Sequence, residues 1–423
     1  MSKTFESVCI IGLGYIGLPT AAVLASRGVK VIGVDINQQT VDIINQGQIH
    51  IVEPELKALV HEVVHKGCLL ATTRPVAADA FLIAVPTPFK DNHEPDLSYV
   101  EAAARSIAPV LKKGDLLILE STSPVGSTEQ IAHWLAAERP DLTFPQQAGT
   151  AADINLAYCP ERVLPGKVIH ELVENDRVIG GMTTNCAHRA VALYQIFVKG
   201  ECLITNVRTA EMCKLTENSS RDVNIAFANE LSLICDELNI NVWELIRLAN
   251  HHPRVNILQP GPGVGGHCIA VDPWFIVHKS PATARLIRTA REVNDHKPHY
   301  VIDKVREAAS RYTHPKIACF GLSFKANIDD LRESPSVEIV QHLRQLKLGE
   351  ILVIEPHVTG LPATLMGEGV QLMETEEALK QADIVLFLVN HQLFNTINPD
   401  SLLGKTVIDT CRILESLVQA VAL

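Results

Sequence analysis

Gly12-Leu13-Gly14-Tyr15-Ile16-Gly17 constrains this chain more than any other segment, because of what flanks it. A β-branched apolar run, Val8 to Ile11, leads into the first glycine, and a helix-compatible run from Leu18 to Arg27 follows the third. A strand that turns on glycine straight into a helix opens a βαβ unit. Each glycine has a mechanical task there: the tight turn, the close approach of backbone to a pyrophosphate, and close helix–strand packing. The amides of Tyr15 and Ile16 are expected to meet phosphate oxygens at the positive end of the helix dipole. Asp35 ends the next strand, where a carboxylate accepts from both ribose hydroxyls. The same charge repels a 2′-phosphate, and Ile36-Asn37 offers no arginine to receive one. The cofactor read from these residues is therefore NAD, not NADP.

The pattern continues beyond the turn. Val29 to Asp35, Ala80 to Val85 and Leu116 to Glu120 are further short apolar runs, with a helical stretch from Tyr99 to Leu111 between them. Such alternation predicts a parallel sheet covered on both faces. Lys316 to Phe320, Ile351 to Ile354, Ile384 to Val389 and Thr406 to Asp409 repeat it near the other end, although the turn Phe320-Gly321-Leu322-Ser323-Phe324-Lys325 lacks the full glycine fingerprint. From Thr209 to Asn250 there is no proline and the residues suit one or two long helices. The expected fold class is α/β, with two Rossmann-like, doubly wound parallel-sheet domains joined by a long central helical segment. The boundaries read as 1–205 for the NAD-binding domain, 206–312 for the central helical part that carries catalytic residues and the dimer contact, and 313–423 for a second α/β domain.

Pro86-Thr87-Pro88 and the run Ser121 to Thr128 follow two of the strands, beyond whose carboxyl ends ligands of open α/β sheets bind. Thr87 and Thr128 are the candidate cofactor contacts; taken alone, each run is also an ordinary turn.

Composition bounds the partners. With 423 residues, 47% hydrophobic and 20% charged, the chain buries cores in two or three domains. Its net charge of −11 argues against nucleic acid or an acidic membrane as partner. No apolar run approaches the roughly 18–20 residues that cross a bilayer. Ten scattered cysteines with no Cys-x-x-Cys pair, and a start without the basic flank of a signal peptide, point to the cytoplasm.

One thiol stands apart. Cys268 ends a segment rich in glycine and proline, Pro260 to His267, and precedes residues that look helical, so a helix N-terminus favouring thiolate is expected there. An inert cysteine is the competing reading. Lys214, Asn218 and Arg221 share one stripe of the predicted long helix and are its candidate partners, against the alternative of a solvated face. Glu161 and Asp272 are the remaining acid/base candidates, either of which is equally a surface carboxylate or a helix cap. An NAD domain together with a reactive thiol suits capture of an aldehyde as a thiohemiacetal, oxidation to a thioester, and release of an acid by water.

These motifs occur in one order along the chain: GLGYIGLP, the strand-end Asp35, ESTSPVGST, YCPERVLPGK, AEMCKLTEN, GVGGHCIAVDP and FGLSFKANIDDLRESP. In this the sequence resembles the UDP-glucose/GDP-mannose dehydrogenase family. The resemblance implies a four-electron oxidation of a nucleotide-sugar C6 alcohol to a carboxylate with two NAD+. It implies Cys268 as nucleophile, Lys214 and Asn218 as donors to the reacting oxygen, Glu161 and Asp272 as water-activating or proton-accepting carboxylates, and Thr122 close to the reacting centre. Arg162, Val163, Arg221, His252, Arg254 and Gly265 match substrate-contacting positions, and Phe324 and Lys325 match positions that hold the UDP sugar. Arg332 matches one near the cofactor, alongside Gly12, Gly14 and Gly17. Because the position of Arg254 reaches a neighbouring subunit's site in related enzymes, a homodimer is implied.

His267 and Val271, with Ala270 and Trp274, resemble acetamido-sugar members, which makes UDP-N-acetyl-D-mannosamine the expected substrate and its uronate the product. UDP-N-acetylglucosamine is the alternative, and a non-catalytic NAD-binding sensor is the alternative from another class. Cys411 stands where a basic or small residue is more usual in this family, beside Arg412, which bears on a diphosphate contact. His61-Glu62-Val63-Val64-His65 fits a zinc-protease pattern but lacks a third histidine at the metzincin spacing, so no metal is expected.

Overall fold

The computed structural model describes residues 5–51, 53–164, 166–266, 268–415 and 417. The chain forms two compact units, one of residues up to Glu217 with Trp274–Lys279, the other of Asn218–Pro273 with the residues from Ser280 onward.

In the first unit the strands are β1 Ser7–Ile11, β2 Lys30–Val34, β3 Leu69–Thr72, β4 Ala80–Ile83, β5 Leu116–Leu119, β6 Asn155–Tyr158, β7 Arg177–Gly181 and β8 Cys202–Asn206. They lie in the order β3-β2-β1-β4-β5-β6-β7-β8. The apolar runs are strands because both of their faces are covered. Val8, Ile10, Leu82, Leu116 and Ile118 enter one core layer, while Cys9, Ile11, Phe81, Ile83, Leu117 and Leu119 enter the other. Burying each such large side chain contributes about 2 kcal/mol relative to leaving it in water. Every neighbouring pair is parallel except β6 and β7, which run antiparallel with Tyr158 opposite Gly180. The expected all-parallel sheet is thus mixed at this one junction. Strand order reverses between β1 and β4, and a crevice at such a switch point is where open α/β sheets bind ligands.

In the second unit β9 Lys316–Phe320, β10 Glu350–Ile354, β11 Val370–Leu372, β12 Ile384–Phe387 and β13 Thr406–Asp409 form a wholly parallel sheet. Its order is β11-β10-β9-β12-β13. The two folds are the expected Rossmann-like pair, and the expected long helices are Val207–Glu237 and Val242–Ala249. A further helix, Arg285–Ala309, packs in the second unit. There Asp222 and Arg291 form a fully buried ion pair at 2.6 Å. Asn294 donates to Asp222 at 2.8 Å and accepts from Asn229, whose carbonyl receives the Gly261 amide at 2.9 Å. This buried polar ladder ties two helices to the glycine-rich loop.

Candidate active site

The glycine turn is built as its sequence demands. Gly12 sits at φ +93°, and a Cβ there would lie 2.4 Å from the Ala84 carbonyl oxygen. A Cβ on Gly17 would lie 1.8 Å from the Gly12 carbonyl oxygen, so only glycine lets the helix Gly17–Ser26 come this close. Gly14 differs: a side chain there would meet nothing within 4 Å, leaving its backbone approachable. No side chain caps the first turn of that helix, where the Leu18 amide donates to the Gly14 carbonyl at 3.2 Å and the Thr20 amide to the Ile16 carbonyl at 3.1 Å. Asp35 follows β2, accepting from the Leu13 amide at 3.2 Å and the Asn37 amide at 2.9 Å. An approachable glycine turn at a helix N-terminus and a fixed carboxylate fit the pyrophosphate and ribose of NAD.

Around this turn the loops after β4 and β5 are locked together. The Ser121 hydroxyl accepts from the Val85 amide at 2.9 Å, and the Thr87 hydroxyl donates to the Thr122 carbonyl at 2.5 Å. Thr128 is fully buried, and both its amide and hydroxyl donate to Glu211, at 2.8 and 2.7 Å. With the Gly126 amide at 2.6 Å, Glu211 caps the helix Ser127–Glu138. Glu211 was not legible as a cap, because it lies 83 residues from Thr128 along the chain.

Glu161 is buried in the first unit, where Arg177 donates to its Oε2 at 2.6 Å and the Arg162 amide to its Oε1 at 2.6 Å. The Arg162 guanidinium reaches Glu217 at 2.8 Å and the Asp176 carbonyl at 2.5 Å. Val163 packs against the apolar layer behind them. Trp274 stacks on His93 with ring centres 4.0 Å apart.

In the second unit Cys268 is exposed, in a turn whose carbonyl accepts from the Asp272 amide at 2.9 Å. The helix Asp272–Lys279 begins four residues later, so the thiol precedes the helix by a full turn and is not its first residue. Asp272 is 3% exposed, and the Asn218 amide donates to its Oδ2 at 2.5 Å. Arg221 and Arg254 are exposed, and the His252 Nδ1 accepts from the Arg254 amide at 3.3 Å. Lys214 is half-buried on the long helix. His267 lies outside the described residues.

The glycine-rich loop owes its composition to protein packing. A Cβ on Gly265 would come 2.4 Å from the Glu333 carbonyl oxygen and 2.9 Å from Phe324 Cβ. Lys325 is exposed, and Arg332 is held by a two-bond pair with Asp330, at 2.8 and 2.6 Å. In the second sheet Glu355, after β10, takes the role that Asp35 has in the first, accepting from the Leu322 amide at 2.7 Å. Here His391, 3.1 Å away and fully buried, occupies the carboxylate from the protein's own side. Arg412 adopts φ +70° and pairs with Glu415 at 2.5 Å. The His61 and His65 rings stack 4.0 Å apart, and among the described residues no three His, Cys, Asp or Glu side chains group as a metal site would.

A strand–glycine–helix turn with a carboxylate at the next strand end, a second sheet of the same class, and a glycine-rich cysteine loop packed on Phe324 and Pro335 suit a nucleotide-dependent dehydrogenase. Residues 6–198 match the NAD binding domain, 208–296 the central domain and 318–416 the UDP binding domain of the UDP-glucose/GDP-mannose dehydrogenase family. The chain belongs to that family and is an NAD-dependent nucleotide-sugar dehydrogenase. It is 68% identical to an NDP-N-acetyl-D-galactosaminuronic acid dehydrogenase of Ralstonia nicotianae, covering 96% of each chain. It is 66% identical to the UDP-N-acetyl-D-mannosamine dehydrogenase of Escherichia coli, covering 96% of this chain and 98% of the relative. Among solved structures, the UDP-N-acetyl-mannosamine dehydrogenase of S. aureus superposes with a TM-score of 0.85 at 44% identity, over 96% of this chain and 95% of that one.

Proposed function

We propose that the chain oxidises the C6 alcohol of UDP-N-acetyl-D-mannosamine to the uronate in the cytoplasm, through a covalent intermediate on Cys268. The observation that carries this reading is the joining of the Cys268 turn to Asp272, and of Asp272 to Asn218 at 2.5 Å. These are three of the side chains the chemistry needs. NAD bound at the glycine turn supplies the hydride acceptor, one molecule for each two-electron step.

Asp272 takes the C6 hydroxyl proton as the first hydride leaves C6, giving the aldehyde, while Lys214 and Asn218 donate to the C6 oxygen, where an ammonium and an amide stabilise developing negative charge. The Cys268 sulfur then bonds to C6 of the aldehyde, giving a thiohemiacetal. Loss of the second hydride from C6 leaves a thioester. Glu161, assisted by Asp272, takes a proton from water, whose oxygen bonds to C6 as the C6–S bond breaks, returning the thiol and releasing the acid. Thr122 lines the reacting end. Arg162, Val163, Arg221, His252 and Gly265 contact the sugar nucleotide, with Phe324 and Lys325 from the UDP-binding domain. Thr87, Thr128 and Arg332 act on the cofactor side, within domains bounded at 1–205, 206–312 and 313–423.

Arg254 serves a neighbouring copy. Exposed apolar side chains at Phe227 and Ile234 on the long helix, and at Leu238 just past its end, support a homodimer. The relative named for a galactosaminuronic acid favours a second reading, in which the galacto epimer is the substrate. Replacing Cys268 by Ala is expected to abolish acid formation while NAD still binds, read by coupled NADH absorbance and by cofactor titration. Undiminished acid formation would remove the covalent step.

A further inference from the structure

Behind Glu161, three polar side chains are enclosed in an otherwise apolar layer of the first unit. Glu120 directly follows β5 and is 3% exposed. Tyr194, which ends the helix Thr184–Tyr194, is fully buried and donates its hydroxyl to Glu120 Oε1 at 2.6 Å. Arg177, the first residue of β7, is 2% exposed, and its guanidinium carbon lies 5.5 Å from the centre of the Tyr194 ring. Its Nη1 donates to Glu161 Oε2 at 2.6 Å, and its Nη2 to the Leu172 carbonyl at 3.1 Å. Two polar atoms of the cluster, Glu120 Oε2 and Arg177 Nε, are buried without a hydrogen-bond partner among the described residues.

The enclosure holds two acids and one permanent cation. A buried guanidinium balances one carboxylate; a second negative charge there has no second cation in the cluster to balance it. The groups facing Glu120 are Glu161, Tyr194, Arg177 and the buried Cys159 thiol. Burial and the charge of Glu161 push Glu120 up to about 7, against the pull of Tyr194 and Arg177. Burial pushes the Cys159 thiol up to about 12, so Cys159 adds no charge.

We propose that Glu120 is a positioning residue for Glu161. Its neutral carboxyl holds Tyr194 against Arg177 and leaves the guanidinium committed to Glu161, while loss of the Glu120 proton draws Arg177 away through its unpartnered Nε. Glu161 then keeps only the Arg162 amide and loses the bond that aims it. Acid release declines as pH rises through the titration of Glu120.

This rests on Glu161 activating the water, and the test separates the two ideas. Steady-state acid formation is followed from about pH 6 to about pH 9 for the full-length enzyme and for Glu120→Gln, Tyr194→Phe and Glu161→Gln. Glutamine keeps the acceptor for Tyr194 but cannot ionise. The ratio of Glu120→Gln to wild-type kcat is expected to be near one at about pH 6 and to reach about tenfold by pH 8, with KM for the sugar nucleotide unchanged. Tyr194→Phe removes a bond that favours the charged carboxylate, so the wild-type alkaline decline moves to higher pH. A ratio that stays flat with pH overturns the inference, as does a Tyr194→Phe decline at the wild-type position if Glu120→Gln fails to fold. Normal turnover by Glu161→Gln overturns the water-activating role as well. Blocked turnover by Glu161→Gln beside a flat Glu120→Gln ratio sinks the Glu120 inference alone.

Discussion

Asp35 shows how much one side chain can be asked to do. Its two oxygens already receive the Leu13 and Asn37 amides, so it fixes the glycine turn, and its charge is expected to meet the ribose. Asp35→Asn keeps the size and removes the charge, and a hydrogen bond to a charged group contributes about 1.5–3 kcal/mol. NAD binding is expected to weaken at least about tenfold, with a smaller loss for NADP, as read by fluorescence titration of both. Glu120 obeys the opposite sign. The folded chain keeps its proton up to about pH 7, whereas the usual glutamate value is 4.5. Stability therefore declines as pH rises between those values and stays lowered above them. Glu120→Gln is expected to melt at a higher temperature than the wild type at about pH 8, with the gap closing below about pH 4.5, in thermal scans at both pH values. The placement of Asp35 at a strand end and of Cys268 after a glycine-rich loop was legible, because local rules expose both. Glu120, Tyr194 and Arg177 were not, since the bond that makes Glu120 important spans 74 residues.

At the scale of elements, what could be read was periodicity. β1, β2, β4 and β5, and likewise β9, β10, β12 and β13, are apolar runs bounded by turns, and they stood out as buried parallel strands. β8 is largely exposed, β11 has three residues, and β7 carries two glycines, so none has the pattern of a buried strand. The direction of β7 against β6 is equally silent, because pairing direction leaves no mark on the alternation of side chains. The long helices were legible as length without proline, but the ladder holding them was not: Asp222, Asn229, Arg291 and Asn294 look like ordinary surface residues in sequence. Asp222→Ala leaves Arg291 buried and short of its main acceptor, a loss of about 3–5 kcal/mol. Urea denaturation is expected to show it as a lowered midpoint. Because the ladder ends on the Gly261 amide, the same variant is expected to slow alkylation or turnover at Cys268 without changing NAD affinity.

For the whole molecule, two sheets of one class do different work because of what fills their first turns. In the first sheet the acid after β2 braces an approachable glycine turn; in the second, His391 takes the acid after β10 and braces the loop that carries Phe324 and Lys325. One unit is thereby left for a dinucleotide and the other for a sugar nucleotide. The apolar side chains of Phe227, Ile234 and Leu238 are expected to close a dimer, and Phe227→Asp with Leu238→Asp to yield monomers by analytical ultracentrifugation. The enzyme is expected to carry the sugar through both oxidations without releasing the aldehyde. The most direct measurement counts NADH formed per UDP-N-acetyl-D-mannosamine consumed, beside the galacto and gluco epimers. Two NADH per molecule of the manno epimer, with the uronate as sole product, is the predicted result. One NADH per sugar with free aldehyde, or two only with another epimer, would contradict the covalent route or the assigned sugar respectively.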